Sequence, residues 1–205
     1  MKSLSTTTPR VIFLVGIPGA GKTYFAEKFS KTFGAPFIET DKIRRTVFTT
    51  PTYSSAEQKI VDELAAYQLV ELMKTKKTIL YEGGTEARAE RLNLAKFVRA
   101  NGYEPLIVWV QTEPTTAKTR ATRGVRGHTK STLINEERFY QLQSRFTMPN
   151  SLESPTVISG KHTSASQTKV VLKRLALPRQ QEVENMPVSS ARPTATRSGN
   201  SIKIN

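Results

Sequence analysis

The sequence predicts an α/β fold, a central parallel sheet of about five strands with helices on both faces, from three observations. Five short apolar runs, at residues 11–15, 35–40, 78–81, 106–110 and 155–159, alternate with helical patterns, as in βαβ units with right-handed crossovers. The first run, VIFLV, is unbroken and largely β-branched. It is too short for a buried helix and suits a central strand covered on both faces. That run breaks directly into the glycine-rich turn GIPGAGKT, and an apolar stripe of helical spacing follows.

Taken in order, residues 1–9 form a flexible lead, and residues 11–15 the first strand. Phe25, Phe29 and Phe33 recur every fourth residue among charged neighbours, which is a helix with one buried face. Residues 35–40 form the second strand, and Asp41 is placed to cap the short helix after it. A proline-containing loop at 49–55 leads to a long helix over 56–76, with Ile60, Leu64, Tyr67 and Leu72 on its inner side and lysines at its C-terminal end. The third strand, 78–81, ends in Glu82 and the turn Gly83-Gly84, before a helix over 85–100 closed by Asn101-Gly102. Residues 106–110 form an interior fourth strand, and Pro114 opens the next helix.

Residues 118–130 (KTRATRGVRGHTK) carry five Lys or Arg residues, one histidine, two glycines and no acid. They read as a mobile basic segment, the core of a lid at about 118–134. A helix over 135–146, the fifth strand at 155–159 and a last helix over 164–177, with Val170, Val171 and Leu175 inward, complete a domain at 10–177. Residues 178–205 are rich in Pro, Ser, Arg, Thr and Asn, cannot bury enough apolar surface to order themselves, and form a disordered tail.

The turn matches GxxxxGK[ST] without substitution, after a strand and before a helix. Its backbone, Gly16, Ile17, Pro18, Gly19, Ala20 and Gly21, with Lys22, Thr23 and Tyr24, is the expected nucleotide-binding loop. Successive loop N–H groups and the positive helix end cage phosphate. Lys22 reaches the β and γ phosphates, and the Thr23 hydroxyl ligates Mg2+. In a parallel sheet ligands bind at the carboxyl ends of the strands, so the loop, Asp41, Glu82 and the segment after Val110 line one crevice.

Asp41 and Arg44 form a DxxR pattern one helical turn apart. Either Asp41 orients or deprotonates an acceptor hydroxyl while Arg44 holds an anion on that acceptor, or the two are a helix cap and a surface ion pair. Glu82 ends its strand where a second acid would hold Mg2+ through water or touch substrate; the alternative is a structural carboxylate. Arg120, Arg123 and Arg126, spaced by three, converge on a transferring phosphoryl group if the lid closes about Gly124 and Gly127. His128 reads as a lid surface residue.

Net charge is +14, from 31 basic and 17 acidic residues. The tail holds four bases (Arg179, Arg192, Arg197, Lys203) and two acids (Glu182, Glu184), so about +12 remains on the body. That surplus favours polyanionic partners, nucleic acid first, though a nucleotide site needs cations of its own. There are no cysteines, which excludes disulfides, thiolate metal sites and a Cys nucleophile and fits a reducing cytoplasm. No apolar run approaches the roughly 18 residues of a membrane span, and the sequence leaves the oligomeric state open.

Together GIPGAGKT, TDKIRR, the ILYE strand end, LAKFVRANGYEPLIVWVQTEP, and Arg120 with Arg123 resemble the AAA_33-type P-loop kinases. That group contains polynucleotide 5′-hydroxyl kinases and, more distantly, zeta-toxin-like sugar kinases. The resemblance runs from about residue 10 to residue 177. It implies a P-loop NTPase three-layer sandwich of kinase type, ATP and Mg2+ as cofactors, Asp41 as the hydroxyl-activating carboxylate, Arg44 as an acceptor-side anion contact and lid arginines at Arg120 or Arg123. It also brings residues 160–163 (GKHT) near the adenine. The third strand ends Glu82-Gly83-Gly84-Thr85 where polynucleotide kinases tend to show Asp followed by Thr-Asn, and this pattern looks more like the zeta-toxin side. The expected activity is transfer of the ATP γ-phosphate to a hydroxyl, best a polynucleotide 5′ end. The alternatives are a sugar, nucleoside or antibiotic acceptor, and a nucleotide-gated ATPase that binds RNA or protein.

Overall fold

The computed structural model describes residues 8–124 and 133–177. Its elements run β1 (Arg10–Val15), α1 (Lys22–Phe33), β2 (Phe37–Glu39), α2 (Thr40–Val47), α3 (Ser55–Met73), β3 (Ile79–Glu82), α4 (Arg88–Ala100), β4 (Glu104–Gln111), α5 (Pro114–Arg123), α6 (Glu136–Arg145), β5 (Thr156–Ser159) and α7 (Ser164–Ala176). The five strands are parallel in the order β2-β3-β1-β4-β5. The α/β class, the five-stranded parallel sheet and the central place of the first strand are as the sequence predicts.

Alternation along β1 divides the core. Val11, Phe13 and Val15 pack with Val61, Ala65, Leu69 and Met73 of α3 and Ala95 and Val98 of α4. Ile12 and Leu14 point the other way, to Phe25 and Phe29 of α1 and Val171 and Leu175 of α7. All five apolar side chains of β1 are fully buried, each worth about 1.5–3 kcal/mol relative to exposure. The register sets Leu14 beside Glu82 and Val15 beside Trp109, with Glu39 opposite Glu82 in the next pair. The ends of β1, β2 and β3 therefore meet where the strand order reverses. This is the crevice in which open α/β sheets bind ligands.

Several elements differ from the sequence reading. The inward row of α3 is Glu57, Val61, Ala65, Leu69 and Met73, every fourth residue, while Ile60, Leu64 and Tyr67 are exposed. Apolar residues surround this helix, so two rows compete in sequence, and the one with smaller residues at its centre packs against the sheet. Val170 of α7 is likewise exposed, and Val171 and Leu175 are buried. Asp41 does not cap α2: the helix starts at Thr40, the cap position is Glu39 without a side-chain bond, and Asp41 sits in the first turn. The helix expected from residue 85 begins at Arg88, because Thr85 is buried and donates its hydroxyl to the Leu14 carbonyl at 2.9 Å, fastening the turn after β3 to β1. Residues 118–123 of the basic segment continue α5. Arg126, Gly127 and His128, the disordered-tail expectation, and residues 1–7 of the lead lie outside the described residues.

One buried charge is structural. Arg91 of α4 is completely buried and meets the Glu153 carboxylate at 2.7 and 3.1 Å, with the carbonyls of Thr85 and Glu86 as further acceptors. Glu153 is itself nearly inaccessible. Removing one partner of such a pair strands the other in low dielectric, so Arg91→Ala is expected to lower stability by about 3–5 kcal/mol, read as an earlier urea midpoint. Among the described residues no helix is long and apolar enough to cross a membrane.

Candidate active site

The loop from Gly16 to Gly21 leaves β1 at its carboxyl end and turns into α1. Gly21 takes the N-cap position with φ of 105°, offers no side-chain cap, and no acid occupies the first turn of α1. The first amides of the helix are thus left for an external acceptor. Gly19 has φ of 74°, and a Cβ there would overlap the Ala117 carbonyl of α5. The loop can press on α5 only because that position lacks a side chain. Gly19→Ala combines left-handed strain with this overlap and is expected to weaken nucleotide binding by at least about tenfold, checked by calorimetric titration with ATP.

Lys22 folds along the loop, donating to the carbonyls of Gly16 at 2.9 Å and Ile17 at 3.2 Å, with its ammonium 3.8 Å from the Glu82 carboxylate. The Thr23 hydroxyl donates to both Glu82 oxygens, at 2.9 and 3.1 Å. Burial pushes the Glu82 carboxyl up to about 7; the Lys22 ammonium and the Thr23 hydroxyl oppose the rise, and Glu39 and Asp41 add to it. This donor set, one hydroxyl and one buried carboxylate beside a phosphate-cradling loop, fits a hard oxygen-seeking cation such as Mg2+.

The loop opens into a cleft of about 1710 Å³ that also takes in Asp41, Arg44, Arg45, Arg120, Arg123, Arg138 and Arg145. Ile17, Pro18, Tyr24, Gly83 and Gly84 line it too, as do Gly160, Lys161 and His162 of the expected adenine segment. The structure thus brings the described site residues expected from sequence to one cleft, except Thr163, which caps α7, and Ala20, which is buried behind the loop with the core on the α1 and α7 side of the sheet.

Side by side, those residues have different freedoms. Asp41 is well exposed, 61%, and among the described residues its ion pair is with the Arg44 Nε at 3.7 Å. Arg44 is 3% exposed and committed inward: it donates to Glu57 at 2.7 Å and to Gln58. Burial works to raise the Glu57 carboxyl, but Arg44 and hydrogen bonds from Thr52 and Tyr53 outweigh it and hold the group at about 2. An acid with a depressed pKa contributes stability that is present above its unfolded value and lost as pH falls through the folded one. The protein should therefore lose stability between about pH 4.5 and pH 2, and Glu57→Gln should flatten that slope and lower stability at pH 7, both read from urea unfolding at stepped pH. Arg120 donates to the Gly160 carbonyl at 3.0 Å, joining α5 to the turn after β5. Arg123 is exposed and has no ion pair among the described residues.

Sequence reasoning missed Glu57, Tyr53, Arg138 and Arg145. A Ser54-x-x-Glu57 capping pattern was there to mark Glu57, since Ser54 does cap α3. The seven-residue spacing of Arg138 and Arg145 on α6 placed both on one helix face.

Residues 11–149 match the AAA_33 family, described as AAA domain. The chain belongs to that family. No curated protein matches the sequence. This AAA_33 protein is similar in fold to a gluconokinase from Sinorhizobium meliloti 1021, at 16% identity, 82% of this chain, 93% of that chain and TM-score 0.60. It is similar to the APS kinase CysC of Mycobacterium tuberculosis in complex with AMPPNP and APS, at 15%, 82%, 98% and 0.60. It also resembles a chain of the Pnkp1/Rnl/Hen1 complex, at 15% and TM-score 0.52, over 65% of this chain and 45% of that one. At such identities the likeness carries the fold, that of the P-loop kinases.

Proposed function

We propose that this protein is an ATP- and Mg2+-dependent phosphotransferase that moves the γ-phosphate to a hydroxyl, with a polynucleotide 5′-hydroxyl end as the best-supported acceptor. The observation that carries the reading is the pairing, in one cleft, of an uncapped phosphate loop with an exposed carboxylate, Asp41, whose ion pair with Arg44 is long, 3.7 Å. A hydrolase needs only the loop and a water; an exposed carboxylate at the mouth suits alignment of an acceptor hydroxyl.

Thr23 and Glu82 would hold the metal, directly or through water, and Mg2+ bound there offsets the charge of the β and γ phosphates. The loop amides bind the phosphates, and Lys22 has to leave the Gly16 and Ile17 carbonyls to reach them. Asp41 accepts a hydrogen bond from the acceptor hydroxyl and turns its lone pair toward the γ-phosphorus. Arg123, with no ion pair among the described residues, adds positive charge from α5. Arg120 is available to the same phosphate only by releasing Gly160.

A nucleic-acid end is supported by the overall charge of +14 and by a cleft lined by both aromatic residues, Phe97 and Phe146, and arginines, a combination that suits bases and backbone. A small polyol acceptor is favoured by different residues, Glu86 and Glu90, which line the same cleft. Labelled γ-phosphate transfer, offered 5′-hydroxyl DNA and RNA oligonucleotides against nucleosides, sugars and aminoglycosides, separates the two. Label on oligonucleotide 5′ ends supports the first, and label confined to small polyols overturns it.

A further inference from the structure

We propose that Arg138 and Arg145 of α6 form the subsite for a phosphate group that the acceptor carries away from its reacting hydroxyl. This rests on the phosphotransferase reading and adds the feature that selects the acceptor.

Arg44 is the residue expected to hold an acceptor anion. Its guanidinium is buried, and its charge is met at 2.7 Å by a carboxylate just as buried, Glu57. Recognition of an incoming anion needs a cation that is not already neutralised and can still be reached by solvent. Arg45 is engaged too, 3.0 Å from Glu39.

Arg138 and Arg145 meet that condition. Neither has a carboxylate partner among the described residues; Arg138 makes a long hydrogen bond, 3.4 Å, to the Gln141 side-chain oxygen and lies over the Tyr53 ring. They lie seven residues apart, two helical turns, and so project from the same face of α6. Both line the main cleft and also a side recess of about 560 Å³ between α6 and α3. On the α3 side the recess presents Lys59, Asp62 and Glu63, and Asp62 already accepts the Gln58 amide at 2.8 Å. Three bases face two acids, one of them occupied.

The position relative to Asp41 is continuous. Asp41 touches Arg44 at 3.7 Å, the Arg44 guanidinium lies 4.8 Å from the centre of the Tyr53 ring, and the Arg138 guanidinium lies 5.0 Å from the same ring. Tyr53 adopts φ of 56°, a left-handed conformation that costs a bulky residue about 1–3 kcal/mol and persists where surroundings over-determine it. Glu57 accepts the Tyr53 amide and fixes the loop. An acceptor whose hydroxyl sits at Asp41 thus runs past Tyr53 toward α6, and an anion at its far end meets Arg138 and Arg145.

The test uses the full chain with the loop filled by Mg2+ and AMPPNP, so that a phosphate probe cannot bind there. Adenosine 3′-monophosphate and adenosine share a 5′-hydroxyl and differ by one phosphate. Calorimetry is expected to show the monophosphate binding at least tenfold tighter than adenosine. Arg145→Gln or Arg138→Gln should remove that preference while leaving adenosine binding unchanged, and Arg145→Lys should retain part of it. Arg145 is exposed, so its replacement leaves folding intact. Equal affinity for the two probes in the parent protein, or a preference that survives both Gln variants, overturns the subsite. Transfer assays with ATP and the same probes keep the two readings apart. Transfer with no dependence on Arg138 or Arg145 sinks the subsite alone; phosphate-selective binding with label passing only to water sinks the phosphotransferase reading alone.

Discussion

Lys22→Ala is expected to lower γ-phosphate transfer by about 10²- to 10³-fold while leaving the unfolding midpoint nearly unchanged, since a charge that stabilises the transferring phosphoryl group is lost. Among the described residues the Lys22 side chain donates to the carbonyls of Gly16 and Ile17 and lies 3.8 Å from Glu82. Of these ties, the Glu82 contact joins two elements, α1 and β3, and at 3.8 Å it is long. Lys22→Ala also leaves Glu82 without its nearest cation, so that carboxyl should stay protonated to higher pH than about 7. The check is a rate measurement at saturating ATP together with a melt; a fall in both stability and rate would mean that Lys22 is a structural strut.

Asp41→Ala is the second large effect, with acceptor transfer expected to fall by about 10²- to 10⁴-fold, the range of a positioned acid–base group. ATP affinity should hold, because the carboxylate belongs to α2 and not to the phosphate loop. Its exposed side chain has one ion pair among the described residues, with Arg44 at 3.7 Å, and Arg44 keeps Glu57 and Gln58 when Asp41 is gone. The variant therefore separates function from folding. A drop in kcat at constant ATP affinity marks a group that acts on the acceptor; a rise in KM for ATP with kcat kept would place Asp41 on the nucleotide side.

The parts of the fold and site that were legible in sequence are those set by neighbouring residues. VIFLV reads as a buried strand and GIPGAGKT as an anion loop because each property belongs to a few consecutive residues. Glu82 could be placed beside the loop because a parallel sheet aligns strand ends, and the Leu14–Glu82 pairing follows. What was hidden depends on partners brought in from elsewhere. The DxxR pattern does not reveal that Arg44 turns to Glu57, thirteen residues on. The exposure of Ile60, Leu64 and Tyr67 depends on which of two apolar rows on α3 meets the sheet. The open charges of Arg138 and Arg145 are defined by the lack of a carboxylate partner among the described residues, which only the placement of α6 across the recess from α3 decides.

The most direct measurement is a single turnover with γ-labelled ATP and Mg2+ in the presence of 5′-hydroxyl oligonucleotide, following the label into acceptor and into inorganic phosphate for the parent protein and for Asp41→Ala. Label passing to the acceptor in the parent and collapsing by orders of magnitude in the variant, with ATP still bound, is the result expected of a phosphotransferase. Label passing only to water, at one rate in both proteins, would contradict the account and mark a nucleotide-gated binding protein.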